Sequence, residues 1–258
     1  MKSALPALSA QTYTVREYIQ TDADFATSLA KIRAIGYQAV EISYPDIFTS
    51  ADVRTILNDT GLVASGIHYD FAFLQNRLDD ALECNHALDS QHLLLTMMPE
   101  AYAEQGVAGF QRFIDEIIPL AERVHAANFT LSYHNHNYEF TRLAAQTGLA
   151  WILDATAPHH LAAQLDTYWI QMGGGDPVKW IQRLAGRLPT IHLKDFAVEM
   201  WTPIFAEVGR GNLDWAAIIP ACRAAGVEWF VVEQDECRRD PFESLRLSHE
   251  FLINLGLE

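Results

Sequence analysis

Apolar and polar positions follow one another along the chain in a repeating order. A segment with apolar residues at helical spacing ends at glycine or asparagine, and a short apolar run follows that ends on a polar residue. Residues 25–35 predict a helix that ends at Gly36, and residues 37–43 predict the strand after it. The long amphipathic segment 110–127 ends at Asn128, before a strand over 129–133.

The whole chain repeats this unit. The predicted strands are 7–15, 37–43, 62–67, 92–97, 129–133, 160–165, 189–191 and 227–232. The predicted helices are 25–35, 53–60, 78–88, 110–127, 178–184, 216–225 and 242–255. Eight strands at intervals of roughly 30 residues, with helices between them, imply parallel β/α units. In a chain of 258 residues this predicts the α/β class and a (β/α)₈ barrel, as a single domain over residues 1–258.

A doubly wound open sheet is the structural alternative, because it shows the same alternation of strands and helices. Its dinucleotide-binding form carries Gly-x-Gly-x-x-Gly after the first strand, and no such motif follows residues 7–15. The barrel is therefore favoured.

Charge and cysteine content limit the partners and the compartment. The 18 Lys and Arg against 33 Asp and Glu give a net charge of −15, which disfavours nucleic acid and anionic membrane surfaces. The longest apolar runs have strand length, so no membrane span is expected. Cys84, Cys222 and Cys237 are far apart and form no Cys-x-x-Cys, which predicts free thiols and a cytoplasmic protein.

Polar residues stand where the predicted strands end, which is the end of a barrel that carries active sites. These residues are Glu41, His68, His134, Asp166, His192 and Glu233. Carboxylates and imidazoles without thiolates suit a divalent ion such as Mn²⁺, Mg²⁺, Co²⁺ or Zn²⁺. The joint occurrence of these residues at one end of the barrel predicts a catalytic metal site.

Several of these residues also have an ordinary structural explanation. His134 and His136 alternate on one strand end, so one of them can face the centre while the other packs elsewhere. Asp166 can cap the helix that follows it. Glu233 is harder to explain in this way, because an unpaired buried carboxylate is costly. Trp169, Phe71, Phe73 and Trp201 can shape an apolar pocket, but ordinary packing between helix and barrel is the favoured interpretation for each.

An ordered set of motifs carries a resemblance over nearly the whole chain. The set includes Gly36-Tyr-x-x-Val-Glu41, His134-Asn-His-x-x-Glu139-Phe, Asp166-Thr-Tyr-Trp169, Gly186-Arg-x-Pro-x-x-His192-Leu-Lys-Asp195, Gly209-Arg-Gly-Asn-Leu-Asp-Trp215 and Val232-Glu-Gln-Asp235. In this order they resemble the xylose isomerase-like family of sugar phosphate isomerases and epimerases.

The resemblance implies a TIM barrel that binds one divalent metal through a Glu, an Asp, a His and a second Glu from strands five to eight. Asp166, His192 and Glu233 match three of these ligands directly. The family's first Glu is replaced by His134 at the end of strand five. Glu139, a few residues later, is the expected ligand instead, with His134 or His136 as alternatives.

The resemblance also implies a reaction. A keto-sugar chelated by the ion loses a proton to Glu233 or Glu139, and the enediolate is reprotonated to give epimerisation or isomerisation. Lys194 is expected to hold a substrate oxygen or to protonate a leaving group, unless it pairs with Asp195. Residues expected to contact the substrate are Glu41, His68, His134, His136, Trp169 and Arg210. Trp169 stands where many ketose epimerases have a substrate-binding histidine.

The sequence therefore predicts a metal-dependent sugar isomerase or epimerase in carbohydrate metabolism. A lyase or dehydratase acting on a keto-sugar or inosose through the same metal site is the close alternative. A nuclease of the endonuclease IV type shares this barrel, but the charge of −15 disfavours it. A sugar-binding barrel without catalysis is a further alternative. The resemblance also suggests a homo-oligomer.

Overall fold

Eight parallel strands close into a barrel in the computed structural model, which describes residues 7–43 and 48–257. The strands are β1 (Ala7–Gln11), β2 (Ala39–Ile42), β3 (Val63–Tyr69), β4 (His92–Leu95), β5 (Thr130–His134), β6 (Leu161–Asp166), β7 (Thr190–Leu193) and β8 (Trp229–Val232). Their order round the barrel follows the chain, and β1 pairs with both β2 and β8. The α/β class and the (β/α)₈ barrel are confirmed, and the open sheet is excluded.

Helices surround the barrel. They are α1 (Asp22–Ile35), α2 (Ser50–Thr60), α3 (Phe71–Asn76), α4 (Leu78–Ala87), α5 (Glu100–Ala103), α6 (Gly106–Ala126), α7 (Gly148–Ala155), α8 (Thr167–Met172), α9 (Pro177–Arg183), α10 (Trp215–Ala225) and α11 (Pro241–Asn254). Short polar side chains begin several of them. The Thr21 hydroxyl accepts the Asp24 N–H at the start of α1, and Asp214 accepts the Ala217 N–H at the start of α10. The ends predicted at Gly36, Gly61 and Gly226 are confirmed.

The first strand is shorter than the pattern predicts. The side-chain oxygen of Gln11 accepts the N–H of Tyr13 at 3.1 Å, and the chain turns into a 3₁₀ helix over Thr12–Tyr18. Thr12, Thr14 and Val15 are therefore buried in this helix and do not extend β1.

Two hairpins were not predicted from the pattern. Arg142–Leu143 pairs with Gln146–Thr147, and Asp195–Glu199 pairs with Thr202–Ala206. The second hairpin leaves directly from the end of β7, and its tip carries Met200 and Trp201. Trp201 is 91% exposed, so it forms no pocket wall among the described residues.

The strand register brings polar side chains together at the carboxyl end of the barrel. Asp166 of β6 lies beside His192 of β7, and His134 of β5 lies beside Gln164 of β6. Most of the core lies between the barrel and the helices and is apolar. None of the helices within residues 7–43 and 48–257 is long and apolar enough to cross a membrane.

Candidate active site

Four buried side chains from successive strands form a group at the carboxyl end of the barrel. They are His134 at the end of β5, Asp166 at the end of β6, His192 in β7 and Glu233 directly after β8. One ligand atom from each lies within 4.8 Å of the others. The buried Oδ2 atom of Asp166 accepts no well-oriented hydrogen bond among the described residues, although the Lys194 ammonium lies 3.0 Å from it. A group of two imidazoles and two carboxylates fits a divalent metal ion.

The hydrogen bonds of Gln164 determine which nitrogen of His134 faces this group. The side-chain amide nitrogen of Gln164 donates to Glu41 at 2.6 Å and to Thr190 at 2.8 Å. The amide oxygen therefore faces His134 Nδ1, 3.1 Å away, and accepts its proton. Burial lowers the pKa of His134 well below its usual range, so the ring is neutral and Nε2 offers a lone pair toward Asp166.

His192 is held by carboxylates on both sides. Its Nε2 lies 2.5 Å from Glu41 and its Nδ1 lies 2.8 Å from Glu233. Burial by itself lowers the pKa of His192, but Glu41 and Glu233 outweigh burial and raise the pKa to about 10. Both ring nitrogens therefore carry protons, and a metal ion at Nδ1 has to displace one of them.

Lys194 lies among three carboxylates and is 1% exposed. Its Nζ is 3.0 Å from Asp166, 2.7 Å from Glu233 and 2.9 Å from Asp235. Burial alone lowers the pKa of Lys194, but these carboxylates raise it well above its usual range. The partner suggested from the sequence, Asp195, is not among these contacts.

Glu139 does not join the four-residue group. One of its carboxylate oxygens accepts the Tyr133 hydroxyl at 2.6 Å, and the other accepts the His136 N–H at 2.9 Å. Glu139 is completely buried, and burial raises its pKa to about 7. In this structure His134, the alternative weighed from the sequence, occupies the strand-five place in the group.

Glu41 lies below the group and has no exposed surface. Its carboxylate accepts hydrogen bonds from Gln11 at 2.8 Å and Gln164 at 2.6 Å, and it contacts His68 at 2.7 Å and His192 at 2.5 Å. The predicted contact between Glu41 and a sugar does not fit this position. Glu41 instead orients the ring of His192.

A cavity of about 560 Å³ opens above the four-residue group. His68, His134, His136, Trp169, Lys194 and Glu233 line it. Substrate contact or catalysis by these residues stays a prediction. Its volume is in the range of small-molecule sites. Two polar atoms of its lining, His136 Nδ1 and Trp169 Nε1, are buried without a hydrogen-bond partner among the described residues.

Comparison with known proteins identifies the family of this chain. The family model described as "Xylose isomerase-like TIM barrel" matches residues 29–255. The chain belongs to this family. The resemblance stated from the sequence motifs is thereby confirmed.

Individual relatives of this xylose isomerase-like barrel are distant. An inosose dehydratase of Geobacillus thermodenitrificans is 24% identical over 157 residues, which cover 54% of this chain and 52% of that protein. The alignment thus spans about half the length of this relative. A sugar phosphate isomerase/epimerase of Parabacteroides distasonis has a TM-score of 0.79 at 20% identity, covering 98% of this chain and 95% of that one. An L-ribulose 3-epimerase has a TM-score of 0.74 at 19% identity, with the same coverage.

Two residues predicted to contact the substrate or to form a pocket wall do not line the cavity of this xylose isomerase-like barrel. Arg210 is exposed and does not line the cavity, and Phe71 is buried in the core. Phe73 does line the cavity, as a pocket-wall residue should.

Two functional residues were missed in the sequence, Gln164 and Gln11. Gln164 stands two residues before Asp166, so strand alternation places both side chains on the same face of β6. This spacing of two residues is the sequence signal by which Gln164 could have been identified.

Proposed function

We propose that the protein is a divalent-metal-dependent isomerase or epimerase of small keto-sugars. The observation that carries the proposal is the group formed by His134, Asp166, His192 and Glu233, of which His134 and Glu233 line the cavity. Its nitrogen and carboxylate donors suit Mn²⁺, Mg²⁺, Co²⁺ or Zn²⁺. When bound, the ion supplies a Lewis acid that stabilises negative charge on a substrate oxygen.

Glu233 is the proposed base. Burial alone raises the pKa of Glu233, but Lys194 and His192 outweigh burial and hold the pKa well below its usual range. Its carboxylate is therefore ionised and able to take the proton from the carbon next to the substrate carbonyl. A positioned base contributes about 10²–10⁴-fold to the rate. Glu139, the other base expected from the sequence, is completely buried and does not line the cavity.

Other cavity residues orient the sugar. The ammonium of Lys194 can donate to a substrate oxygen, and the unpaired His136 Nδ1 and Trp169 Nε1 can bind sugar hydroxyls. Return of the proton to the opposite face of the same carbon gives epimerisation. Return to the neighbouring carbon gives isomerisation.

Dehydration is the second candidate, favoured by the partial match to an inosose dehydratase. Lys194 Nζ lies 2.7 Å from the proposed base, Glu233. Glu233 would remove the proton next to the carbonyl, and Lys194 would protonate a β-hydroxyl that leaves as water. Cys84, Cys222 and Cys237 form no disulfide within the described residues, which supports a cytoplasmic location for either enzyme.

Metal analysis tests the ligand set. The protein is stripped with a chelator, reloaded with each of the four ions, and analysed for bound metal. We expect one ion per chain, strong loss in His134→Ala, and retention in Glu139→Gln. Loss in Glu139→Gln with retention in His134→Ala would instead support the ligand first expected from the sequence. If removal of Asp166, His192 and Glu233 together leaves metal content unchanged, the proposed function fails.

Product analysis separates the two reactions. Keto-sugars and inososes are incubated with the metal-loaded protein in D₂O and followed by NMR. An isomerase or epimerase incorporates deuterium and keeps the molecular formula, whereas a dehydratase product has lost water. Glu233→Gln is the control and should abolish both incorporation and turnover.

A further inference from the structure

We propose that the substrate of this cavity is a keto-sugar that carries no phosphate group. The inference rests on the proposed function, because it concerns the same cavity. The reason lies in the sites at which a (β/α)₈ barrel can bind a phosphate group. In this chain, carboxylates of the protein itself occupy those places.

The first place is formed by the loops after strands seven and eight. (β/α)₈ barrels frequently bind phosphate there through backbone N–H groups. Here backbone N–H groups of this loop donate instead to the carboxylate of Asp195, which has no exposed surface. It accepts the N–H groups of Gly209 at 2.8 Å, Gly211 at 3.0 Å and Leu213 at 3.2 Å, and the indole N–H of Trp215 at 2.7 Å. The loop thus folds round an internal anion, and these four N–H groups are not available to an external one.

The second kind of place is a helix amino terminus, which attracts anions. α3 and α8 both begin beside the cavity. Asp70 accepts the Phe73 N–H at 2.6 Å at the start of α3, and Asp166 accepts the Trp169 N–H at 2.9 Å at the start of α8. Both termini are therefore capped by aspartates, and a phosphate near either would meet a like charge.

Cationic side chains are the third requirement. Among the described residues that line the cavity, Lys194 is the one lysine or arginine, and three carboxylates surround it. Phosphate recognition depends on arginine or lysine clusters, and this wall offers none.

Two arginines lie near the cavity without lining it. The Arg16 guanidinium is 4.2 Å from the centre of the Tyr13 ring, and the Arg77 guanidinium is 4.5 Å from that of Phe73. Tyr13 and Phe73 both line the cavity. Arg77 also donates to Asp80 at 2.8 Å. These two arginines are the rival phosphate ligands, and the experiment has to include them.

The remaining wall suits an uncharged sugar. Tyr69, Phe73 and Trp169 offer aromatic surfaces to the apolar faces of a sugar ring, while Ser43 and Thr96 offer hydroxyl groups. These side chains can bind the hydroxyl groups and the C–H faces of a sugar, and none of them carries a positive charge.

Matched substrate pairs test the inference. Metal-loaded protein is given free ketohexoses, ketopentoses and inososes, each beside its monophosphate, and hydrogen exchange in D₂O is followed by NMR. We expect exchange with at least one free sugar and a kcat/KM at least about 100-fold lower for its phosphate ester, because like-charge contacts cost several kcal/mol. Preference for an ester, or equal use of both, would overturn the inference but leave the proposed function standing. If neither form of any sugar exchanges, the proposed function itself fails.

Cavity variants test the electrostatic reason. Met97 lines the cavity and is 40% exposed. Met97→Arg should raise kcat/KM for the phosphate ester about tenfold relative to Met97→Gln, because it adds the missing cation. An unchanged ratio would contradict the electrostatic explanation. Arg16→Gln and Arg77→Gln should leave the preference unchanged, whereas selective loss of activity on an ester in either variant would show that these arginines bind phosphate.

Discussion

Glu41 and His192 are joined across the barrel by a hydrogen bond of 2.5 Å between the Glu41 carboxylate and His192 Nε2. The two residues lie in β2 and β7, and neither has exposed surface. A histidine that binds a metal commonly donates its other ring N–H to a carboxylate, which fixes the ring and increases its basicity. Glu41 is in the position to do this for a metal bound at His192 Nδ1.

We expect Glu41→Gln to weaken metal binding about 10–100-fold, the usual effect of losing such a partner. The affinity is measured by titrating Co²⁺ or Mn²⁺ into the chelator-treated protein. Glu199→Gln is the matched control, since Glu199 is an exposed carboxylate on the hairpin after β7. An unchanged affinity in a folded Glu41→Gln protein would show that Glu41 does not act through His192.

Glu139 should make the protein less stable as pH rises. Burial raises its pKa from 4.5 to about 7, so the folded protein binds this proton more tightly than the unfolded chain. Its stabilising contribution is complete below pH 4.5 and is lost as pH rises to about 7. The loss amounts to roughly 3 kcal/mol, from 1.36 kcal/mol per pKa unit.

The Glu139→Gln variant is the control for this pH dependence, because it keeps the shape of the side chain and removes the titrating carboxyl group. Urea unfolding is followed between pH 4.5 and 7.5 for both proteins. The free energy of unfolding of the wild type should fall relative to the variant as pH rises. Parallel curves for the two proteins would contradict a raised pKa for Glu139.

Asp195 should be important for stability. Replacing it by alanine removes the acceptor of the partly buried Gly209 and Gly211 N–H groups and of the buried Trp215 indole N–H, and a buried donor left unpaired costs about 1–3 kcal/mol. We expect Asp195→Ala to lose at least about 3 kcal/mol in urea unfolding. Asp214→Ala is the control, because it removes one exposed helix cap and should cost about 1 kcal/mol. Similar losses in the two variants would argue against the buried carboxylate as an organiser of this loop.

Gly66 allows Glu41 and Leu94 to approach β3 closely. A Cβ atom at position 66 would lie 2.4 Å from a methyl group of Leu94 and 3.3 Å from the Glu41 carboxylate. We expect Gly66→Ala to cost about 1–3 kcal/mol through overpacking and also to weaken metal binding. Gly226→Ala meets open space at a φ of +82°, so it should lose some stability but bind metal normally. Normal metal binding in Gly66→Ala would contradict the coupling through Glu41.

The barrel could be predicted from sequence because each β/α unit repeats the same alternation of apolar and polar residues. Asp166, His192 and Glu233 could be found because they stand at strand ends, where the register of parallel neighbours brings side chains together. The hairpin over Asp195–Ala206 was missed, since its strands are partly exposed and carry no sustained apolar run.

The choice between His134 and Glu139 depends on a turn that no pattern describes. After β5 the chain enters a 3₁₀ helix over Tyr138–Phe140, which brings the Glu139 carboxylate to the Tyr133 hydroxyl. The position of Glu41 below the cavity likewise depends on a register shift between Val40 and Glu41 in the β2–β3 pairing. Such shifts arise from side-chain packing across the barrel, and sequence spacing alone does not reveal them.

Lys194 also bears on the order in which the mature protein is assembled. Its ammonium already balances part of the negative charge of Asp166, Glu233 and Asp235, so closure of the barrel does not depend on the arrival of an ion. A newly made chain can therefore complete its fold before it binds the proposed metal ion. The identity of the ion would then follow from the supply that the finished protein meets in the cell.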